Sequence, residues 1–387
     1  MRTIPYARQD IRDADIEAVV DVLRSDWLTQ GPGIEKFENA VAAYCGARYA
    51  VSVSNGTAAL HIACIAAGLG PGGRLWTSPN TFAASANCGL YCGAMVDFVD
   101  IDAKTYNISI AALRDKLRAA ERDGTLPTVL IPVHFAGQPC GMDEIAELSR
   151  QYGFKVIEDA SHAIGASYRN AKIGDCRDSD FVVFSFHPVK IITTGEGGMI
   201  LTNSEDRYRA LLRLRSHGIT RDPEQMEGPG DGPWYYEQVD LGYNYRLTDV
   251  QAALGLSQLA RIDQYVERRH EIAARYGSLL ADLPLILPWQ HPDARSAFHL
   301  YVIRLRSESI KRSHLEVFKG MRDKGVLVNL HYIPVHTHPY YRKLGFKRGD
   351  FPEAEHYYRE AISLPMYYGL TDSEQDYTAA ALRSLLA

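Results

Sequence analysis

Short apolar runs alternate with longer stretches of helical apolar spacing over most of the chain. The run "RYAVSVSN" (48–55) is rich in β-formers and stops at Asn-Gly, and "TAALHIACIAAGLG" continues as a helix that Gly68 and Gly70 end. "RLWTSP", "AMVDFVDID", "TVLIPVHF", "KVIEDA", "FVVFSFH" and "MILTN" read as further strands, each running into polar or turn-forming residues. Helical stretches such as "MDEIAELSRQYG" lie between them, and "DADIEAVVDVLRSDW" near the start has helical spacing with an acidic first turn. The alternation predicts an α/β fold, a mostly parallel sheet covered by helices. From about Phe298 the texture changes: "FHLYVIRL" and "VLVNLHYIP" flank the helix "SHLEVFKGMRDKG", and helices follow to the end. This predicts a large domain over 1–259 and a smaller C-terminal α/β lobe over 260–387. One long helix, "RLTDVQAALGLSQLARIDQYVERRHEIAARYGSLL", is expected to lead into the lobe, and the Gly/Pro-rich "RDPEQMEGPGDGPWYYE" is expected to be an irregular loop.

Composition narrows the class without naming it. A chain of 387 residues buries enough apolar surface to need no disulfide or structural metal. The formal charge of −5 carries no basic stripe, which argues against nucleic acid as a partner. No apolar run follows a basic start and none is long enough to span a bilayer, so neither a signal peptide nor a membrane segment is expected. Six scattered cysteines mostly lie in apolar surroundings, the usage of a reduced cytoplasmic protein.

In an open α/β sheet ligands bind beyond the carboxyl ends of the strands, so motifs at strand ends converge in space. In "SNGTAAL" a strand opens directly into a helix and aims free N–H groups outward; Gly56, Thr57 and Ala58 would receive a phosphate there or simply begin a capped helix. Asp159 in "KVIEDASHAIG" would cap the next helix or hold a protonated ring nitrogen, with His162 against the same ring. In "FSFHPVKIITTGEGGMI", Ser185 precedes Lys190 by five residues across a strand end. Apolar neighbours there would lower the amine's pKa enough to make it a nucleophile; the alternative is a solvated lysine at the end of a strand. Phe82 in "SPNTFAAS" would stack on a planar group or enter the core, and "LGYNYRL" places Asn244 and Arg246 in a polar-aromatic turn. Each motif has a plain structural explanation alone; their order and common position at strand ends argue for a shared pyridoxal phosphate site.

Two rival chemistries are weaker. His331, His336 and His338 in "HYIPVHTHP" suggest a metal hydrolase, but Pro334 and Pro339 break helical spacing and no carboxylate lies within the cluster, so no metal site is expected. A non-catalytic sensor on the same fold would lack the lysine. The sequon Asn107-Ile108-Ser109 has no use in a chain without a signal peptide.

Together "SNGTAAL", "NTFAAS", "EDASHAIGA", "FSFHPVKIITTGEGG" and "GYNYRLTDVQAALGLSQL" resemble the DegT/StrS family of pyridoxal-phosphate-dependent nucleotide-sugar aminotransferases, from about Tyr6 to the last helices. The resemblance implies an aspartate-aminotransferase-like (type I) fold with a mostly parallel seven-stranded central sheet, working as a homodimer with shared active sites. It implies Lys190 as the Schiff-base lysine, Asp159 on the pyridine nitrogen, and Gly56, Thr57, Ala58 and Ser185 on the phosphate. Asn244 would reach the phosphate from the neighbouring subunit, and Phe82 and His162 would flank the ring. Relatives with histidine in place of Lys190 are dehydratases, so lysine favours aminotransfer, with pyridoxamine phosphate as the alternate cofactor form. "LTQGPGIEKFE", "SFHPVKIITTGEGG" and "HYIPVH" resemble most the family's branch in pseudaminic acid biosynthesis. That implies L-glutamate as donor and UDP-2-acetamido-2,6-dideoxy-β-L-arabino-hex-4-ulose, a UDP-linked 4-keto-6-deoxy sugar, as acceptor. Tyr6, Asp26, Trp27, Leu28, Thr29, His331, Tyr332, Ile333 and Pro334 would contact the sugar nucleotide. Gly195 is alanine in some relatives.

Overall fold

The computed structural model describes residues 3–386. Seven strands form the central sheet: β1 (Tyr49–Val53), β2 (Arg74–Thr77), β3 (Met95–Phe98), β4 (Val129–Ile131), β5 (Lys155–Asp159), β6 (Phe181–Ser185) and β7 (Gly198–Thr202), in the order β1-β7-β6-β5-β4-β2-β3. β7 runs antiparallel to both its neighbours and every other pair is parallel. The carboxyl ends of β1, β2, β4, β5 and β6 therefore lie along one edge. Val, Ile, Leu and Phe side chains from both faces of these strands are fully buried. That is the continuous apolar signature of a sheet covered on both sides.

The second core is built on three short antiparallel strands, β8 (Leu285–Ile286), β9 (Tyr301–Leu305) and β10 (Ala361–Leu364), in the order β8-β9-β10. Tyr276, Met321 and Leu382 are buried in it from three covering helices. Ile4–Pro5 pairs in parallel with Val326–Leu327, which joins the start of the chain to this lobe and fixes Tyr6 close behind.

Two local expectations change. The predicted long helix is two helices, Asp249–Leu259 and Ile262–Leu280, with Arg261 between them at φ −114°, ψ 7°. The break lets Arg261 turn to Asp15 on helix Asp13–Arg24, whose fully buried carboxylate it meets at 2.7 and 2.8 Å. Ser257, Gln258 and the Arg12 backbone N–H also donate to that carboxylate, at 2.6, 2.8 and 2.9 Å. "VLVNLHYIP" keeps only Val326–Leu327 as strand. Asn329 still bridges to Ser363, but its Oδ1 accepts from Leu330 N–H at 2.9 Å and so takes up the next backbone donor, which keeps the pairing from extending. The Gly/Pro-rich 221–237 stretch is largely irregular, as expected, and exposes Trp234.

Candidate active site

Helix Gly56–Ala66 opens where β1 ends. Asn55 caps it, its side chain accepting from Ala58 N–H at 2.8 Å. The N–H groups of Gly56 and Thr57 find no acceptor among the described residues and stay available at the positive end of the helix. A Cβ on Gly56 would meet Ser185 Cβ at 3.0 Å, so glycine is what brings the Ser185 hydroxyl against this turn. Gly198 serves the same junction: a Cβ there would stand 2.5 Å from the Asn55 carbonyl oxygen.

Lys190 follows β6 on a loop closed by its own bonds. Phe186 N–H reaches Gly197 O at 2.9 Å, Thr194 N–H and the Thr193 hydroxyl reach Phe186 O at 3.0 and 2.9 Å, and Lys190 N–H reaches His187 O at 2.9 Å. Loss of hydration lowers the Lys190 amine to about 8, with Asp159 opposing the fall. Asp159, at the end of β5, is 5 % exposed. Its Oδ2 accepts from the Ser85 hydroxyl at 2.6 Å and its Oδ1 from Ser161 N–H at 3.1 Å. It forms no salt bridge with a described cation.

A ring of neutral aromatic groups closes the space between them. His162 Nε2 pairs with the Tyr332 hydroxyl at 3.1 Å, and the His162 and His299 rings lie 4.3 Å apart. Burial, reinforced by Lys190, holds His162 and His299 well below the usual histidine range and His331 at about 3. Burial also raises the Tyr332 phenol. His331 is fixed by the Ser363 hydroxyl at 2.8 Å and faces the Tyr6 ring at 5.4 Å.

These groups line one cavity of about 850 Å³. Of the residues expected from sequence it gathers Tyr6, Gly56, Thr57, Ala58, Phe82, Asp159, His162, Ser185, Lys190, His331 and Tyr332. Asn244, the Asp26–Thr29 segment, Ile333 and Pro334 are not among its lining residues. Asn244 forms a bridge with Ser216, and Thr29 one with Thr248. Exposed Trp27 and Leu28 lie beside Gly31 and Gly33, whose N–H groups the Asp249 carboxylate accepts at 2.7 and 2.8 Å. Sequence reading passed over Ser85, Ser161 and His299. Ser85 is 74 residues from Asp159, and a histidine inside the apolar run "FHLYVIRL" was the available signal for His299. The proline-broken histidine run is dispersed: His331 binds Ser363 and His336 binds Glu355 at 3.0 Å. No group of three or more His, Cys, Asp or Glu among the described residues is arranged to hold a metal.

A buried carboxylate without a salt bridge among the described residues, a lysine lowered to about 8 and a helix turn with free N–H groups suit one ligand class. They fit a phosphorylated heteroaromatic aldehyde with a basic ring nitrogen, as in pyridoxal-phosphate-dependent aminotransferases. The sequence profile of the DegT/DnrJ/EryC1/StrS aminotransferase family matches residues 9–383, and the chain belongs to that family. It is 39 % identical over 386 residues to the spore coat polysaccharide biosynthesis protein SpsC of Bacillus subtilis, covering 99 % of this chain and 97 % of that protein. A putative sugar aminotransferase from Streptococcus pneumoniae, in its PMP-form, superposes with a TM-score of 0.89 at 28 % identity, covering 99 % and 98 % of the two chains. The same protein is also solved in a PLP-form. PseC of Helicobacter pylori, an aminotransferase of pseudaminic acid biosynthesis, superposes with a TM-score of 0.88 at 27 % identity over 100 % and 99 %.

The protein is thus a sugar aminotransferase that uses pyridoxal 5′-phosphate. When bound, that cofactor supplies an aldehyde for amines and a ring that stabilises negative charge at the reacting carbon. The chain's own residues bring free N–H groups, the Ser185 hydroxyl, the Asp159 carboxylate and the Lys190 amine to the same cavity.

Proposed function

We propose that the chain transfers an amino group from L-glutamate to C4 of a UDP-linked 4-keto-6-deoxy sugar. The sugar assigned is UDP-2-acetamido-2,6-dideoxy-β-L-arabino-hex-4-ulose, giving UDP-4-amino-4,6-dideoxy-N-acetyl-β-L-altrosamine. The observation that carries the general reading is the juxtaposition of Lys190, lowered to about 8, with Asp159, whose carboxylate forms no salt bridge with a described residue, in one cavity. Lys190 would take the α-proton of the donor and reprotonate the cofactor carbon within the first half-reaction, and would move a proton the opposite way, onto C4 of the sugar, in the second. Asp159, held by Ser85 and Ser161, keeps the ring nitrogen charged. Gly56, Thr57, Ala58 and Ser185 hold the phosphate, and Phe82 and His162 flank the ring. Neutral His162, His299 and His331 add no positive charge that would compete with Lys190 for its task.

Tyr6, His331 and Tyr332 form the wall offered to the sugar, and similarity to PseC supports the L-arabino acceptor. The Asp26–Thr29 segment and Asn244 lie outside the chain's own cavity lining, which suits a homodimer in which they serve the neighbouring site. In that arrangement residues 1–259 bind the cofactor and residues 260–387 form the smaller lobe, with the seam at the Arg261 break. Identity is higher to SpsC, 39 %, than to PseC, 27 %, and this favours a second reading. In it the acceptor is the epimeric D-xylo 4-keto UDP sugar or the substrate of a GDP-perosamine-type synthase, with the same cofactor residues.

An absorbance titration separates the readings. L-glutamate is added until the visible band of the holoenzyme disappears, and each keto sugar is then offered alone. Return of the band with the L-arabino sugar only supports the assignment; return with the D-xylo sugar only overturns it in favour of the second reading.

A further inference from the structure

His299 lines the cavity, yet the aminotransfer described above gives it no task beyond staying neutral. Three costly features bring it there. It follows Phe298, a side-chain-bearing residue held at φ +44°. The turn packed against it contains Gly137 at φ +96°, where a Cβ would stand 2.9 Å from His162 O and from Phe298 N, and 3.0 Å from His299 N. Arg269 holds the same segment: its Nη1 donates to Phe298 O, His299 O and Met366 O at 3.0, 3.2 and 3.2 Å. That guanidinium is 3 % exposed and forms no salt bridge with a described residue, and burial lowers it to about 10. A buried cation without a counter-ion destabilises the fold unless its hydrogen bonds are worth keeping.

These features hold a pair of rings together. The His299 and His162 centroids lie 4.3 Å apart with 36° between the planes. His162 Nε2 pairs with the Tyr332 hydroxyl at 3.1 Å, and His162 Nδ1 is buried without a partner among the described residues. The Phe135 and Tyr332 rings stand farther off, at 6.2 and 6.1 Å. One hydrogen bond leaves an imidazole free to swing about its bond to the backbone, so the nearest flat neighbour decides where it lies. That neighbour is His299, whose own Nδ1 is likewise buried and unpartnered. Burial keeps both rings neutral, so no charge repulsion opposes the stack.

We propose that His299 is a positioning residue: its ring, packed on His162, keeps His162 Nε2 on the Tyr332 hydroxyl and His162 in place beside the cofactor. Arg269, Gly137 and Phe298 fix the backbone from which His299 does this. The proposal rests on the reading of His162 as a residue that flanks the cofactor ring, and it is independent of which sugar is the acceptor.

The test measures the cofactor dissociation constant by equilibrium titration, with the circular dichroism of the bound cofactor's visible band as a second readout. His299→Leu fills the space without a flat face and is expected to weaken binding about fivefold to tenfold and to diminish the dichroism. His299→Phe restores a flat face and is expected to stay within about twofold of wild type. Tyr332→Phe removes the hydroxyl, and adding His299→Leu to it is expected to give no further loss beyond that of the weaker single variant, because both changes release the same ring. Additive losses, equal losses in His299→Leu and His299→Phe, or full affinity in His299→Leu would overturn the proposal. His162→Leu separates it from the reading beneath it. Unchanged affinity in that variant would remove His162 from the cofactor site and the proposal with it. A loss there beside none in His299→Leu would overturn the proposal alone.

Discussion

Replacing Lys190 by methionine removes an amine that the fold charges only at a cost. The folded value of about 8 stands against 10.5 for the free side chain. That difference corresponds to about 3 kcal/mol against the charged form. The side chain keeps some contact with solvent, so about 2 kcal/mol is the better figure. The sign follows from proton linkage. Below about pH 8 folded and unfolded chains both hold the proton, and the folded state bears the whole penalty. Between about 8 and 10.5 the folded state has released the proton while the unfolded state keeps it, so wild-type stability rises. Cofactor-free Lys190→Met is therefore expected to exceed cofactor-free wild type by about 2 kcal/mol near neutral pH, with the gap closing as pH rises through that window. Urea denaturation at a series of pH values reads the gap directly, and the variant is expected to have no turnover. A gap that is absent near neutrality, or unchanged across the window, would refute the buried, desolvated amine on which the mechanism depends.

Asp159→Asn keeps the shape but loses the charge proposed to hold the ring nitrogen, and is expected to slow both half-reactions by about a hundredfold or more in single-turnover absorbance. An unchanged rate would leave Asp159 as a turn residue that accepts from Ser161 N–H, since no helix follows it to be capped. Ser85→Ala removes the 2.6 Å bond to Asp159 and is expected to weaken cofactor binding by about tenfold in an equilibrium titration, whereas unaltered affinity would show that Ser161 suffices. Arg261→Ala strands the buried Asp15 carboxylate and is expected to cost about 3–5 kcal/mol in chemical denaturation. A loss under about 1 kcal/mol would mean that Ser257, Gln258 and the Arg12 N–H carry the charge without Arg261.

The residues that meet in the cavity were legible because each lies where a strand stops. Asp159 and Ser185 are the last residues of β5 and β6, Gly56 and Lys190 follow β1 and β6 within a few positions, and strand order does the rest of the gathering. Residues that act on those side chains left a weaker trace. Ser85 and His299 are an ordinary hydroxyl and an ordinary apolar-run histidine until the fold brings them to Asp159 and His162. Periodicity failed where a polar side chain overrode it. The helical pattern runs unbroken through Ala260 and Arg261, yet the buried charge of Asp15 decides where the chain turns. The β-rich "VLVNLHYIP" likewise yields to Asn329 bonding its own backbone. Pairing of Ile4–Pro5 with Val326–Leu327 spans nearly the whole chain, and no local pattern encodes it.

The central claim is that Lys190 is the amine joined to the cofactor. Borohydride reduction of the holoenzyme followed by peptide mapping tests it most directly. The account predicts a pyridoxyl group on Lys190 alone, absent when L-glutamate is added before the reductant. A pyridoxyl group on any other lysine, with Lys190 unmodified, would contradict it.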